Sequence, residues 1–160
     1  MDALTGLDSR SWFEMMLKRQ FLRSVTGGEP LSIIMIDIDD FREFNEAHGR
    51  MYSDRVLYSL AHQLGEQLRP ADIIARYGGD EFAILLPHVN VVTARIVAER
   101  LRQDMKKSVP LTPDGSSVPY PTLSFGLAEA RPDQTPESFV KAAEEALSRA
   151  KVMGGNCIVG

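Results

Sequence analysis

The apolar positions of this chain fall into helical and extended runs that alternate along its length. Trp12, Phe13, Met16, Leu17 and Phe21 recur at helical spacing. Ser11 with Glu14 reads as a capping box opening that first helix, and Gly27-Gly28-Glu29-Pro30 ends it. Leu31–Ile38 is nearly continuous in Leu, Ile and Met, the pattern of a strand buried on both faces, and it finishes in Asp37-Ile38-Asp39-Asp40. Val56, Leu57, Leu60, Leu64 and Leu68 mark a helix from Met51 to Leu68, closed by Pro70 because the residue before a proline avoids helical geometry. Two short apolar runs, Ile73–Tyr77 and Phe82–Leu86, flank Gly78-Gly79. That pair predicts a tight hairpin turn with positive φ.

Beyond the hairpin, Asn90 is expected to cap a helix running to about Lys107, with Val92, Ile96, Val97 and Leu101 turned inward. Pro110–Pro121 reads as a loop or second hairpin around Asp114-Gly115, leading into a strand over Thr122–Ala128. Thr135-Pro136-Glu137 supplies an N-cap and a proline in the first turn. The last helix then reaches Lys151, Gly154-Gly155 stops it, and Cys157–Val159 is a closing strand. Helices alternate with strands, yet two strands are joined by a tight turn, so the sheet is mixed. The fold class is α/β, with an antiparallel β-hairpin in a mixed central sheet.

Composition narrows the possibilities. At 160 residues, 44% hydrophobic and 25% charged, the chain is one globular domain with a substantial core. No apolar run approaches the roughly 18 residues of a membrane span, and no signal peptide opens the chain, so membrane contact by this domain is not expected. A single cysteine, Cys157, excludes an internal disulfide and suits a reducing, cytoplasmic compartment. The net charge of −4 argues against binding a nucleic-acid polymer through its backbone. His48, His62 and His88 are scattered and read as structural or surface residues, and Cys157 as packing.

Candidate chemistry lies in the acids. Asp80 and Glu81 follow the Gly-Gly pair directly, at the mouth of a buried strand where charge is costly unless something compensates it. Asp37 ends another buried strand. If the two strands are neighbours, Asp37, Asp80 and Glu81 converge, a set of hard oxygen donors suited to Mg2+ or Mn2+ completed by phosphate oxygens. Two such ions can clamp the attacking and leaving oxygens of a phosphoryl transfer. The offsets of an EF-hand and the glycine-rich loop of a P-loop enzyme are both absent. A metal-dependent glycosyltransferase using Asp37 and Asp39 is one alternative, which leaves the Gly-Gly-Asp-Glu-Phe hairpin unexplained.

Taken in order, these stretches resemble the GGDEF family of diguanylate cyclases. The central motif stands as Arg76-Tyr77-Gly78-Gly79-Asp80-Glu81-Phe82. An opening pattern, Asp2-Ala3-Leu4-Thr5-Gly6-Leu7 with Ser9-Arg10, is similar to the family's. So are Asp37-Ile38-Asp39-Asp40-Phe41 continuing to Asn45, Gly49 and Asp54, then Leu123–Leu127, and Ala146-Leu147 with Ala150-Lys151. The resemblance covers the whole of residues 1–160, read as a single GGDEF domain cut from a longer regulated protein.

The resemblance implies a palm-like sheet surrounded by helices and the condensation of two GTP into cyclic di-GMP with loss of two pyrophosphates. It implies Mg2+ (or Mn2+) held by Asp37, the Ile38 carbonyl, Asp80 and Glu81, with Asp80 and Glu81 as the catalytic pair. Asp80 is then the base for the attacking 3′-hydroxyl, and Glu81 assists a second metal. It assigns guanine recognition to Asn45 and Asp54, phosphate contacts to Gly78, Gly79 and Lys151, and places Arg42 and Arg50 among the substrate-binding positions. Arg69-Pro70-Ala71-Asp72, with Arg100, looks like the family's inhibitory RxxD site for product. The partners implied are GTP, cyclic di-GMP, a second copy of the domain for catalysis, and a missing sensory or receiver domain. The full-length protein could hold this domain on the cytoplasmic side of a membrane.

Four positions depart from the family pattern. Arg42 replaces a lysine, Arg50 stands where histidine is common, Ser53 where glycine is common, and Gly155 where an arginine is expected beside Lys151. The runner-up reading is a catalytically weak or inactive GGDEF domain that acts as a cyclic di-GMP receptor through Arg69 and Asp72.

Overall fold

The computed structural model describes residues 1–105 and 120–160. Its axis is β1 (Leu31–Ile38), every residue of which is buried. A hairpin of β2 (Ile73–Arg76) and β3 (Glu81–Pro87) pairs antiparallel to one side of β1. On the other side lies β4 (Leu123–Glu129), also antiparallel, followed by the two-residue β5 (Ile158–Val159) running parallel to β4. The order β2-β3-β1-β4-β5 is the mixed sheet that the alternation of runs predicts.

Five helices cover the sheet: α1 (Arg10–Gly27), α2 (Phe41–His48), α3 (Arg50–Glu66), α4 (Val91–Met105) and α5 (Pro136–Val152). Side chains alternate between the faces of a strand, and β1 distributes its residues accordingly. Ile34, Ile36 and Ile38 enter one core with Val56, Leu60 and Leu64 of α3, Ala98 and Leu101 of α4, and Phe82 and Ile84 of β3. Ile33 and Met35 enter the other with Phe13, Leu17 and Phe21 of α1, Phe139, Ala143 and Leu147 of α5, and Ala83 and Leu85 of β3. Each large aliphatic or aromatic side chain so buried contributes about 1.5–3 kcal/mol of transfer free energy. The parity matters for function, because Asp37 and Glu81 share the phase of Met35 and Ala83, and so face α1 and α5.

Several expectations change. The first helix is capped by Ser9, whose side chain accepts from Trp12 N–H, and not by Ser11; Glu14 pairs instead with Arg10 at 3.1 Å. The segment before Arg50 holds a short helix, α2, whose eight residues set only Phe41 and Phe44, both half-buried, against the core, too few for apolar spacing to reveal it. On α4, Asn90 caps as expected, its Oδ1 accepting from Thr93 N–H at 2.9 Å. The inward face of α4 is nevertheless Ala94, Ala98, Leu101 and Met105, while Val92 and Ile96 are exposed. The small residues allow that helix to lie close on the sheet. Thr135 caps α5 with Ser138 in a reciprocal capping box. The expected helix end near Lys107 and the turn at Asp114-Gly115 lie outside the described residues.

The turn of the hairpin also differs. Neither Gly78 nor Gly79 has positive φ. The loop runs over residues 77–80, and the N–H groups of Tyr77 and Gly78 both donate to Glu81 O, at 2.8 and 3.2 Å. A four-residue loop does not need the left-handed residues of a two-residue turn. A Cβ on Gly79 would meet nothing within 4 Å, and one on Gly78 only ordinary contact with Glu81. The fold itself therefore does not demand these glycines.

Candidate active site

Asp37 lies directly opposite Glu81 in the β1–β3 ladder, and Ile38 N–H donates to Asp80 O at 3.2 Å. The two acid-bearing stretches, 43 residues apart, are thus neighbours, as the sequence requires for a common site. Asp37 is 7% exposed. One of its oxygens, Oδ2, accepts from Lys151 Nζ in the last turn of α5; the other, Oδ1, is buried with no partner. Burial pushes the Asp37 carboxyl up to about 6 against the pull of Lys151, and the Asp80 charge pushes the same way. Glu81 is raised for like reasons: burial first, then Asp37 and Glu144. Lys151 is raised because its bond to Asp37 and the charges of Asp37, Asp80 and Glu81 outweigh its own desolvation.

A cleft of about 450 Å³ opens on this cluster, lined by Ile38, Asp40, Arg42, Asp80, Lys151 and Gly155 among others. Hollows of about 430 and 370 Å³ lie under the end of α1 and between α1 and α5. Neither contains Asp37, Asp80 or Lys151, and since the three are similar in size it is the acids that locate the site. Among the described residues no three His, Cys, Asp or Glu side chains are close enough to hold an ion by themselves. The unpartnered Asp37 Oδ1, with Asp80, Glu81 and the Ile38 carbonyl, nevertheless fits a divalent cation that takes its remaining ligands from phosphate and water.

Asp39 has a different task. Its carboxylate accepts from Thr122 Oγ1 and Ser124 Oγ, both at 2.5 Å, and from Asn156 N–H at 2.8 Å. It ties β1 to β4 and to the segment after α5, which leaves the Asp37–Asp39 glycosyltransferase reading without a free second acid. The same carboxylate explains Gly155. That residue has φ +78°, and a Cβ on it would stand 2.9 Å from the Asp39 carboxyl atoms. A larger residue here displaces a group that three donors hold in place.

Asn45 and Asp54 lie on α2 and α3, which Gly49 joins with φ +85°. Asn45 Oδ1 is buried without a partner, as are Tyr52 Oη and Ser53 Oγ on α3. Asn45 is one turn beyond Arg42, so α2 connects the cleft lining to a buried polar atom without a partner. Arg42 is exposed at the cleft and 3.5 Å from Glu46; Arg50 is also exposed and is not among the cleft's lining residues. Asn45, Asp54, Gly78 and Gly79 likewise do not line the cleft itself.

Arg69 and Asp72 close on one another. Arg69 Nη2 donates to Asp72 Oδ1 at 2.7 Å and to Pro87 O at 3.0 Å, and Arg69 N–H donates to Asp72 Oδ2 at 2.8 Å. Arg100 Nη2 donates to Gln67 O at 3.1 Å, which brings α4 against the same loop. The pairing of Lys151 with Asp37 is the functional contact that sequence reasoning missed, since it joins residues 114 positions apart. The only signal for it was a basic residue in the last turn of α5.

A family model described as "Diguanylate cyclase, GGDEF domain" matches residues 1–157, and the chain belongs to that family. It is 36% identical over 160 residues to the response regulator PleD of Caulobacter vibrioides, covering 99% of this chain and 35% of PleD. It is 33% identical over 159 residues to the diguanylate cyclase VdcA of Vibrio cholerae, covering 99% of this chain and 46% of VdcA. The chain therefore spans less than half the length of these curated relatives. The crystal structure of the GGDEF domain of DgcB from Caulobacter crescentus, in complex with c-di-GMP, superposes with a TM-score of 0.96 at 29% identity. That match covers 99% of this chain and 91% of the DgcB chain. Among the described residues no helix is long and apolar enough to cross a membrane.

Proposed function

We propose that this domain condenses two molecules of GTP into cyclic di-GMP and two pyrophosphates with Mg2+ or Mn2+, and that product inhibits it through Arg69, Asp72 and Arg100. The observation that carries the reading is Asp37. It is buried with one orphaned oxygen, directly across the ladder from Glu81 and within electrostatic reach of Asp80. A buried carboxylate at a strand end that Lys151 satisfies on only one oxygen still carries a cost, and a cation bound at the other oxygen removes it.

A bound divalent ion supplies charge neutralisation of the phosphates and acidifies the attacking hydroxyl. The chain's own groups do the rest. Asp80 takes the proton of the 3′-hydroxyl as its oxygen forms a bond to the α-phosphorus of the other GTP; the α–β bridge then breaks and pyrophosphate leaves with the electron pair. Lys151, paired with Asp37 here, would be free to bond the triphosphate if a cation were held by Asp37. Asn45 and Asp54 read the guanine edge, the amide and carboxylate offering an acceptor and donor set that adenine does not match. Gly78 and Gly79, which the fold does not require, leave room for phosphate beside the backbone. Each copy carries one such site, so turnover needs two domains face to face, and regulation comes from segments elsewhere in a longer protein.

Purified protein incubated with GTP and Mg2+ is expected to release cyclic di-GMP, identified by chromatography, and Asp80→Ala to lose about 10²–10⁴-fold in rate. No cyclic dinucleotide at high enzyme concentration, together with tight dinucleotide binding, would turn the reading into that of a receptor. Arg69→Ala is expected to keep the basal rate and to abolish inhibition by added cyclic di-GMP. Unchanged inhibition in that variant counts against the RxxD assignment.

A further inference from the structure

The loop over residues 77–80 is gripped from outside by two arginines. Arg76 donates twice to Gly79 O, from Nη2 at 2.7 Å and from Nε at 3.2 Å. Its Nη1 lies 3.4 Å from Asp2 Oδ1, and Asp2 is itself fixed by the N–H and hydroxyl of Thr5, at 2.8 and 2.6 Å. Arg10 places its guanidinium 4.0 Å from the centre of the Tyr77 ring and its Nη1 3.5 Å from Tyr77 O. Alternate carbonyls of the loop are therefore held by two arginines that do not line the cleft.

A trans peptide points its C=O and N–H in opposite directions, and the described chain contains no cis peptide. With Gly79 O turned out to Arg76, the N–H of Asp80 is turned the other way, and Asp80 lines the cleft. The N–H of Gly78, on the peptide whose carbonyl Arg10 holds, is used by Glu81 O. The Asp80 N–H has no partner among the described residues. A polyphosphate entering a cleft lined by Asp39, Asp40, Glu43 and Asp80 meets repulsion, and a fixed backbone donor at that point offers it a hydrogen bond without adding a carboxylate's charge.

We propose that Arg76, anchored by Asp2, is a positioning residue that aims the Asp80 N–H at a phosphate group of the bound nucleotide, with Arg10 bracing the preceding peptide. This rests on the nucleotide reading given above. Its own cation is balanced by Asp2, so Arg76 acts through the orientation of one peptide and not as a free phosphate-binding charge.

The test uses a non-hydrolysable GTP analogue with Mg2+, guanosine as the phosphate-free control, and the backbone amide resonance of Asp80. In the wild type the analogue is expected to shift the Asp80 amide strongly and guanosine to leave it in place. Arg76→Ala is expected to bind the analogue about 10-fold more weakly, the scale of one hydrogen bond to a charged group. Its guanosine affinity is expected to be unchanged, and Arg76→Lys, which can still reach one carbonyl, to recover part of the loss. Should Arg76→Ala fail to fold, Asp2→Asn keeps the side-chain shape and is expected to weaken analogue binding several-fold with the same split. Equal analogue affinity in the wild type and in the folded variants, or an Asp80 amide that does not respond in the wild type, overturns the inference while the function stands. A wild type that binds neither ligand overturns both.

Discussion

Asp37→Asn is expected to yield a protein that is more stable than the wild type at neutral pH in metal-free buffer and makes no cyclic di-GMP. The Asp37 carboxyl is raised from its ordinary 3.8 to about 6, with burial the largest cause. An acid whose folded pKa lies above its unfolded value holds its proton longer in the folded state. Its contribution to stability is therefore fully kept below about pH 4 and lost as pH rises from there through about 6. By neutral pH the wild type has given up about 3 kcal/mol at this one group, since each tenfold change in proton affinity is worth about 1.4 kcal/mol. Asparagine cannot ionise and escapes that loss, although Lys151 then stands without its partner and returns part of the gain. Denaturant unfolding at pH 7 should show the variant ahead by about 1–3 kcal/mol, with the two proteins nearly equal near pH 4. Mg2+ should narrow the gap by stabilising only the wild type. A variant less stable than the wild type at both pH values would show that Asp37 is held by its contacts and is not a buried charge awaiting a cation.

Gly126→Ala should do the opposite and lower the stability of the fold substantially. Gly126 sits in β4 under α5, and a Cβ there would stand 2.2 Å from Ala143 O and 2.3 Å from Leu147 N. Both are backbone atoms, so no rotamer change relieves the overlap; the whole helix must lift from the sheet. Overpacking in a dense core costs about 1–3 kcal/mol and sometimes more, and here the upper end applies because regular backbone has to move. A fall in Tm of about 10 °C is the expected scale for a domain of this size. Because α5 carries Lys151, activity should fall further than the unfolded fraction explains. A Tm within about 2 °C of the wild type would mean that α5 can slide over β4.

Much of this architecture was legible because its determinants are local. The continuous apolar run of β1, the proline and threonine that open α5, and the paired runs around Gly78-Gly79 each carry their own signal. What stayed hidden depends on packing between elements. Helix α2 is only eight residues long and sets just Phe41 and Phe44 against the core, too short a period to stand out along the chain, and it begins after Asp40, which takes a left-handed φ of 53°. The inward face of α4 uses Ala94 and Ala98, residues that apolar spacing discounts beside Val92 and Ile96. For the site, the acids and their approximate neighbourhood followed from two strand ends. The division of labour between Asp37 and Asp39 did not, because it depends on Thr122 and Ser124 at the start of β4 and on Lys151 of a distant helix.

The edges of the sheet bear on how two such domains can meet. One edge, β2, is four residues long and is already touched by the segment before α1, where Asp8 bridges to Ala75. The other, β5, is two residues long. Short and partly covered edges give an incoming strand little to pair with, so this domain is poorly made for association by sheet extension. On the proposed reading, in which two domains share one product, two copies would instead meet through surfaces that bring their clefts together and be free to part again, a weak and reversible encounter.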